Sequence, residues 1–340
     1  MRIAHIAALP GTVASASYRA REAVVRNLSE GLVSRGHEVT LFGPAQLGVP
    51  GGDVIVHASD DHTHGRGDEW LTRQLAQLQS LAQCASHFDV IHFHTDLIHL
   101  PFAARLPCPY VTTVYGPLRA EEHGPLLSQH PETALVSTSA IQRRPIPWMN
   151  WRATIRYGLP ARPIASIARA SDGDYLLFMD DIAPGTSLDI AISIAGRTGL
   201  PLMVSGVASP DDRTYYRQMV AHGHRCGADV AFLGDLPESR RWELLAHTRS
   251  LLVPGACADA GGMNIIEAAS CGTPVIAMRT EAHLELIVDG VNGRLVTDVD
   301  GAVQAAADPN VSREACRCVY EQRFTCERMV DAYEQVYEGL

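Results

Sequence analysis

The pattern that most constrains this chain is an alternation of short apolar stretches with amphipathic helical ones, run through twice. In the first half, residues 2–9, 38–42, 89–93, 110–114, 135–137 and 153–157 read as strands, and 19–35 and 71–85 as helices. The 19–35 stretch shows the basis: Ala23, Val24, Leu28 and Leu32 recur at helical spacing, and Gly36 follows as a stop. After residue 174 the pattern restarts, with strands over 175–179, 201–204, 230–233, 250–253 and 274–277. Helices are expected over 187–198, 211–221, 238–247 and 263–271, and one last helix from 313 to the end. Strands that alternate with helices pair in parallel. The expected class is therefore α/β, with two Rossmann-like, doubly wound domains facing across a cleft and ligands at the carboxyl ends of the strands.

A chain of 340 residues suits two domains of roughly 150 residues each. The joint is expected between the 159–163 run Leu-Pro-Ala-Arg-Pro and the polar patch 171–174. Hydrophobic residues at 46% and charged ones at 19% exclude a disordered chain. No apolar run approaches the roughly 20 residues of a membrane span. The apolar start is short and ends in Pro10-Gly11, so it reads as a first buried strand rather than a leader, and a cytoplasmic protein is expected. The formal charge of −10 argues against a nucleic-acid partner. All 28 basic side chains are arginines. No side-chain Schiff base can form, and a phosphate must be held by Arg, backbone N–H groups or helix N-termini. The eight cysteines form no C-x-x-C pair, so reduced, mostly buried thiols are expected, without a structural zinc or a disulfide framework.

The densest motif runs from Asp259 through Gly261, Gly262, Met263 and Asn264 to Glu267, and on to Gly272-Thr273-Pro274. Two glycines ahead of a good helix leave backbone N–H groups and the positive end of the helix dipole facing outward, which suits a diphosphate. Glu267 falls about one turn inside, within reach of hydroxyls on a ligand held there. Pro10 to Ala14 lacks G-x-G-x-x-G, and no P-loop is present, which argues against a nicotinamide dehydrogenase.

The segment resembles the acidic E-x7-E region of retaining GT-B glycosyltransferases of family 4 (group 1), with Asp259 in place of the first acid. The resemblance extends along the chain through residues 36–41, 111–116, 135–139, 285–293 and 329–333. It implies a GT-B fold divided as 1–160, 161–318 and 319–340, the last a helix that crosses back to the N-terminal domain. It implies that Asp259 contacts the donor sugar, that Glu267 bonds the nucleoside ribose, and that Gly261, Gly262, Met263 and Asn264 hold the diphosphate. His94 and Tyr115 are then expected at the reacting centre, Tyr115 standing where many relatives carry His. The implied reaction needs no metal and no cofactor. A nucleotide-diphosphate sugar is a substrate, the acceptor is a small molecule, and a homo-oligomer stays open.

Three positions depart from the family. Its Gly-rich turn at the first helix is here Tyr18-Arg19-Ala20-Arg21-Glu22. Arg19 and Arg21 either grip a phosphate or are solvated. The family's donor clamp of Arg and Lys is replaced by Asp181 and Thr186. Reversing a charge beside a diphosphate is unfavourable. The alternative reading is therefore a GT-B-like pseudo-enzyme or binding protein that has lost ordinary transfer. At the third position, a phenol such as Tyr115 donates a hydrogen bond but is no base near neutral pH.

Other features read more simply. His92 and His94 share a strand face near Asp96 and His99, and polar lining outweighs a metal site there. The 60–65 run reads as a surface loop. Residues 148–151, Trp-Met-Asn-Trp, read as hinge packing, and Gln142-Arg143-Arg144 as a candidate anion contact.

Overall fold

The computed structural model describes residues 1–9, 16–44, 47–58, 67–103, 105–161, 173–255 and 262–340. These group into two compact units. One contains Met1–Pro160 with Cys326–Leu340, the other Ala161–Ala258 with Gly262–Thr325.

The first unit is built on seven parallel strands among the described residues: β1 (Arg2–Ile6), β2 (Glu38–Pro44), β3 (Asp53–Ala58), β4 (Val90–Phe93), β5 (Tyr110–Val114), β6 (Ala134–Ser137) and β7 (Trp151–Thr154). Their order is β3-β2-β1-β4-β5-β6-β7. The connecting helices are α1 (Ala16–Ser34), α2 (Gly67–Cys84), α3 (Leu100–Ala103) and α4 (Ala120–Leu127). Both faces of the central strands are covered, which is why their sequences are near-continuous apolar runs. Leu78 and Leu81 of α2 pack with Ile6, Phe42, Ile91 and Phe93. Val25 of α1 packs with Ala7, Leu41 and Leu47. The strand β3 falls in a stretch for which the sequence set no expectation; its six residues follow Gly51-Gly52 and pair only with β2.

The second unit has six parallel strands among the described residues: β8 (Leu176–Met179), β9 (Leu202–Ser205), β10 (Val230–Gly234), β11 (Ser250–Val253), β12 (Val275–Met278) and β13 (Gly293–Val296), ordered β10-β9-β8-β11-β12-β13. Its helices are α5 (Leu188–Thr198), α6 (Arg213–Cys226), α7 (Glu238–His247), α8 (Met263–Ser270), α9 (Glu281–Leu284), α10 (Val299–Ala307) and α11 (Arg313–Arg323). Leu188, Ile192 and Ala195 of α5 and Ala302 and Ala306 of α10 bury Leu176, Phe178 and Val204. The expected single helix from 313 onward is two. The chain leaves helical geometry at Phe324 (φ −130°, ψ 21°), and α12 (Cys326–Glu338) belongs to the first unit. The C-terminal segment grouped with the first unit is Cys326–Leu340.

Within the first unit α12 lies along α1. Arg35 meets Asp331 at 2.6 Å and also pairs with Glu334, which His37 meets at 2.8 Å. Met329 accepts a hydrogen bond from the Gly158 N–H at 3.2 Å. No helix among the described residues is long and apolar enough to cross a membrane. The described cysteines are free thiols, but only Cys271 and Cys316 are buried, so the expectation of mostly buried thiols is corrected. Most of them lie on outer helices and strand edges, where a small side chain is only partly covered.

Candidate active site

Each sheet has a switch point, where the strand order reverses and adjacent connections leave on opposite faces. In the first unit it lies between β1 and β4, in the second between β8 and β11. Expected site residues gather at both.

At the first switch point His94 and Tyr115 do come together. His94 directly follows β4 and Tyr115 directly follows β5, and His94 Nδ1 is 2.7 Å from the Tyr115 hydroxyl. Gln142 braces this edge. Its amide donates to the Val114 and Gly116 carbonyls, at 2.9 and 2.7 Å, and its Oε1 accepts from the Thr138 N–H at 2.9 Å. That internal use replaces the anion contact expected of Gln142, while Arg143 donates to the Ser137 hydroxyl at 2.8 Å. Arg21 of α1 places its guanidinium 5.0 Å over the Tyr115 ring and forms an ion pair with Asp96 at 2.9 Å. Arg19 lies two residues away on α1. Side chains at that spacing do not face each other on a helix.

His94 and Tyr115 are buried, so they form the floor of this site rather than its surface. Burial holds the His94 ring well below its ordinary pKa, with His92, His5 and Arg21 adding to the effect. Burial likewise pushes the Tyr115 phenol well above its own. Both groups are neutral hydrogen-bonding partners near pH 7.

Beneath them the sequence reading missed His5. The β1–β4 register sets His5 beside His92, and the pairing would have revealed it. His5, His92 and His94 bring ring nitrogens within 4.8 Å of one another. Yet His92 already uses both nitrogens, at 2.7 Å from the Tyr337 hydroxyl and 2.7 Å from Thr113 Oγ1. His5 Nδ1 is 2.8 Å from the Ser29 hydroxyl. Tyr333 completes the set at 2.9 Å from Thr113. This donor set is a hydrogen-bonded core that fixes α12, and a metal would have to break it. His99 lies apart, stacked on Phe93 and bonded to Thr112 Oγ1 at 2.8 Å. The hinge expectation for 148–151 divides: Met149 is buried, while Trp148 is exposed. The 60–65 run lies outside the described residues.

At the second switch point several loops converge. Backbone bonds stitch them: Ile182 N–H donates to Val207 O at 2.8 Å, and Gly206 N–H to Gly234 O at 3.0 Å. A Cβ on Gly206 would stand 1.8 Å from Asp180 O, and one on Gly255 would stand 2.8 Å from Thr186 O. The backbones approach this closely only because both residues are glycine. The Asn264 side chain donates to Met179 O, which ties the start of α8 to the end of β8. Gly262 caps α8 in left-handed conformation (φ +63°). The amides of Met263 and Asn264 lie ahead of the first helical bonds, which Ile265 and Ile266 make to Gly262 O. Asp259 and Gly261 lie outside the described residues.

Glu267 is nearly buried, one turn into α8, and one carboxylate oxygen meets the Arg241 guanidinium at 2.7 Å. Arg241, on α7, was also missed: nothing near it in sequence marks it. Asp181 sits on the loop after β8, where its N–H bonds the Asp180 carboxylate at 2.8 Å. The Thr186 hydroxyl donates to Ala183 O at 2.9 Å. An open cavity of about 510 Å³ in the first unit borders Tyr110, Ala134 and Arg152. It lies at the amino ends of β5 and β6, away from the switch point.

Two parallel sheets, each with its switch point framed by glycines or paired side chains, define a two-domain Rossmann-like α/β protein. Residues 22–167 match the profile of Glycosyltransferase Family 4, and residues 169–308 match that of Glycosyl transferases group 1. The chain belongs to these GT-B glycosyltransferases. A D-inositol 3-phosphate glycosyltransferase of Frankia alni is 27% identical over 260 residues, 64% of this chain and 63% of that protein. A second one, of Acidothermus cellulolyticus, is 28% identical over 54% of this chain and 45% of its own length. The chain thus spans about half to just under two-thirds of the curated relatives it matches. Among solved structures, AviGT4, a glycosyltransferase involved in avilamycin A biosynthesis, superposes with a TM-score of 0.72 at 22% identity, over 99% of this chain and 97% of its own. Anabaena Alr3699/HepE in complex with UDP gives 0.76 at 16% identity, with both chains fully covered.

Proposed function

We propose that the protein is a retaining glycosyltransferase that moves a sugar from a nucleotide-diphosphate donor to a small-molecule acceptor without a metal ion. The observation that carries this reading is the end of α8: a nearly buried Glu267 carboxylate, oriented by Arg241, one turn behind the backbone of Gly262 to Asn264. The guanidinium orients the carboxylate, and a carboxylate one turn behind that helix end suits ribose hydroxyls. The backbone amides and helix dipole suit the diphosphate. HepE was solved in complex with UDP, which supports a nucleotide-diphosphate donor.

In this mechanism the acceptor hydroxyl attacks the face from which the diphosphate leaves, and the leaving phosphate takes the proton. Asp259 contacts the donor sugar. The protein supplies positioning and stabilises the charge that develops on the diphosphate. Asp181 and Thr186 in the clamp positions favour one second reading, a nucleotide-binding protein without transfer.

The test is the melting temperature of the full chain with UDP, GDP, ADP and dTDP. A nucleotide at one hundred times its Kd should stabilise the fold by about 2.7 kcal/mol. Glu267→Ala should weaken that binding by roughly 1.5–3 kcal/mol, the worth of a hydrogen bond to a charged group. No shift with any of the four rejects both readings. Binding without sugar transfer selects the second.

A further inference from the structure

Asp96 follows β4 at the first switch point and holds left-handed backbone, φ +54°. Aspartate tolerates that region better than most residues, but it is still an uncommon conformation for one, and such outliers gather at functional sites. Its carboxylate bonds Arg21 at 2.9 Å, and the two partners are unequally covered. The Asp96 side chain is 47% exposed, the Arg21 side chain 15%. The guanidinium is held from behind by the Tyr115 ring, and its amine also lies 3.4 Å from His94 O. Of the two, the acid is the more exposed. The cation is already paired with Asp96, and no lysine exists anywhere in the chain.

We propose that the first unit recognises a neutral polyhydroxyl acceptor here, with Asp96 accepting hydrogen bonds from its hydroxyls, and that the Arg21–Asp96 pair turns away a phosphorylated one. The word acceptor rests on the glycosyltransferase reading; the binding preference does not. A carboxylate with one oxygen engaged retains lone pairs for hydroxyl donors, whereas a phosphate at the same place meets like charge. Specificity then comes from a repulsive element as much as from an attractive one.

The test is titration calorimetry on the full chain with glucose, myo-inositol and glycerol, each beside its own monophosphate, and with UDP in a separate arm. At least one neutral probe should bind ten-fold or more tightly than its monophosphate. Asp96→Asn keeps a residue that tolerates left-handed backbone and removes only the charge. It should narrow or reverse that ratio, and adding Arg21→Gln should abolish any gained affinity for the monophosphate. Tighter binding of a monophosphate to the wild-type chain, a ratio unmoved by Asp96→Asn, or no binding of any neutral probe each overturns the proposal. If Asp96→Asn does not fold, the wild-type ratio decides alone. UDP binding without polyol binding rejects this proposal only. Polyol binding without any nucleotide rejects the reading of the second unit only.

Discussion

Arg241 and Glu267 show what a single residue contributes to the second unit. They stand 26 positions apart, on α7 and α8, and meet at 2.7 Å where both are largely covered. Removing the cation leaves a buried carboxylate without its closest partner, which costs more than the pair itself is worth. Arg241→Ala should therefore destabilise the fold by about 1–3 kcal/mol, read as a lower urea midpoint at unchanged slope. It should also weaken nucleotide binding, with Arg241→Lys restoring much of the stability and less of the affinity, since only the planar fork fixes the carboxylate. An unchanged urea midpoint would remove Arg241 from this account. Glu267 was legible in the sequence because a motif surrounds it. Arg241 was not, because a charged residue on a surface helix carries no mark of what it will reach.

At the scale of elements, the second switch point depends on close approach of loops. Gly206 begins the connection after β9 against the Asp180 carbonyl, with no room for a methyl group. Gly206→Ala must push the 180–187 loop aside. Overpacking of this kind costs about 1–3 kcal/mol, and the same displacement should lower nucleotide affinity. Calorimetric melting and UDP titration of the variant check both; a stable variant with normal UDP affinity would show that the loop gives way freely. Most strands and long helices were legible, because burial on both faces or on one stripe imposes a period. The elements missed were β3, β13, α3, α4, α9 and α10. β13, α3 and α9 have four residues each, β3 pairs on one edge only, α4 contains Pro125, and α10 carries a glycine that weakens its helical signal. The break between α11 and α12 was also missed. No glycine or proline marks it, and the Cys326 N–H bonds Leu159 O, far away in sequence, instead of continuing a helix.

At the scale of the whole molecule, the described residues of the first unit include four fully buried histidines. Burial lowers His5 and His99 to about 3 and holds His92 and His94 well below the ordinary value. Each is neutral in the fold and free to protonate when unfolded. Their contribution is complete above pH 6.5 and is lost as pH falls through the window down to about 3, since the unfolded chain then binds more protons. Each such histidine costs roughly 1.4 kcal/mol per pH unit inside that window. Acid unfolding should thus begin below pH 6, and His5→Asn or His99→Asn should flatten the slope of stability against pH. A slope unchanged in both variants would show that the carboxylates alone govern it. Sequence by itself determined the alternation, the parallel sheets, the family and the α8 motif, because these are written in short-range periods and in contiguous residues. Only the tertiary structure decided that Arg21 serves Asp96, 75 residues on, that Glu267 is held by Arg241, and that Tyr337 reaches back 245 residues to His92. Such pairs form when the chain closes on itself, and the register that aligns them belongs to the packed sheet, not to any local stretch of residues.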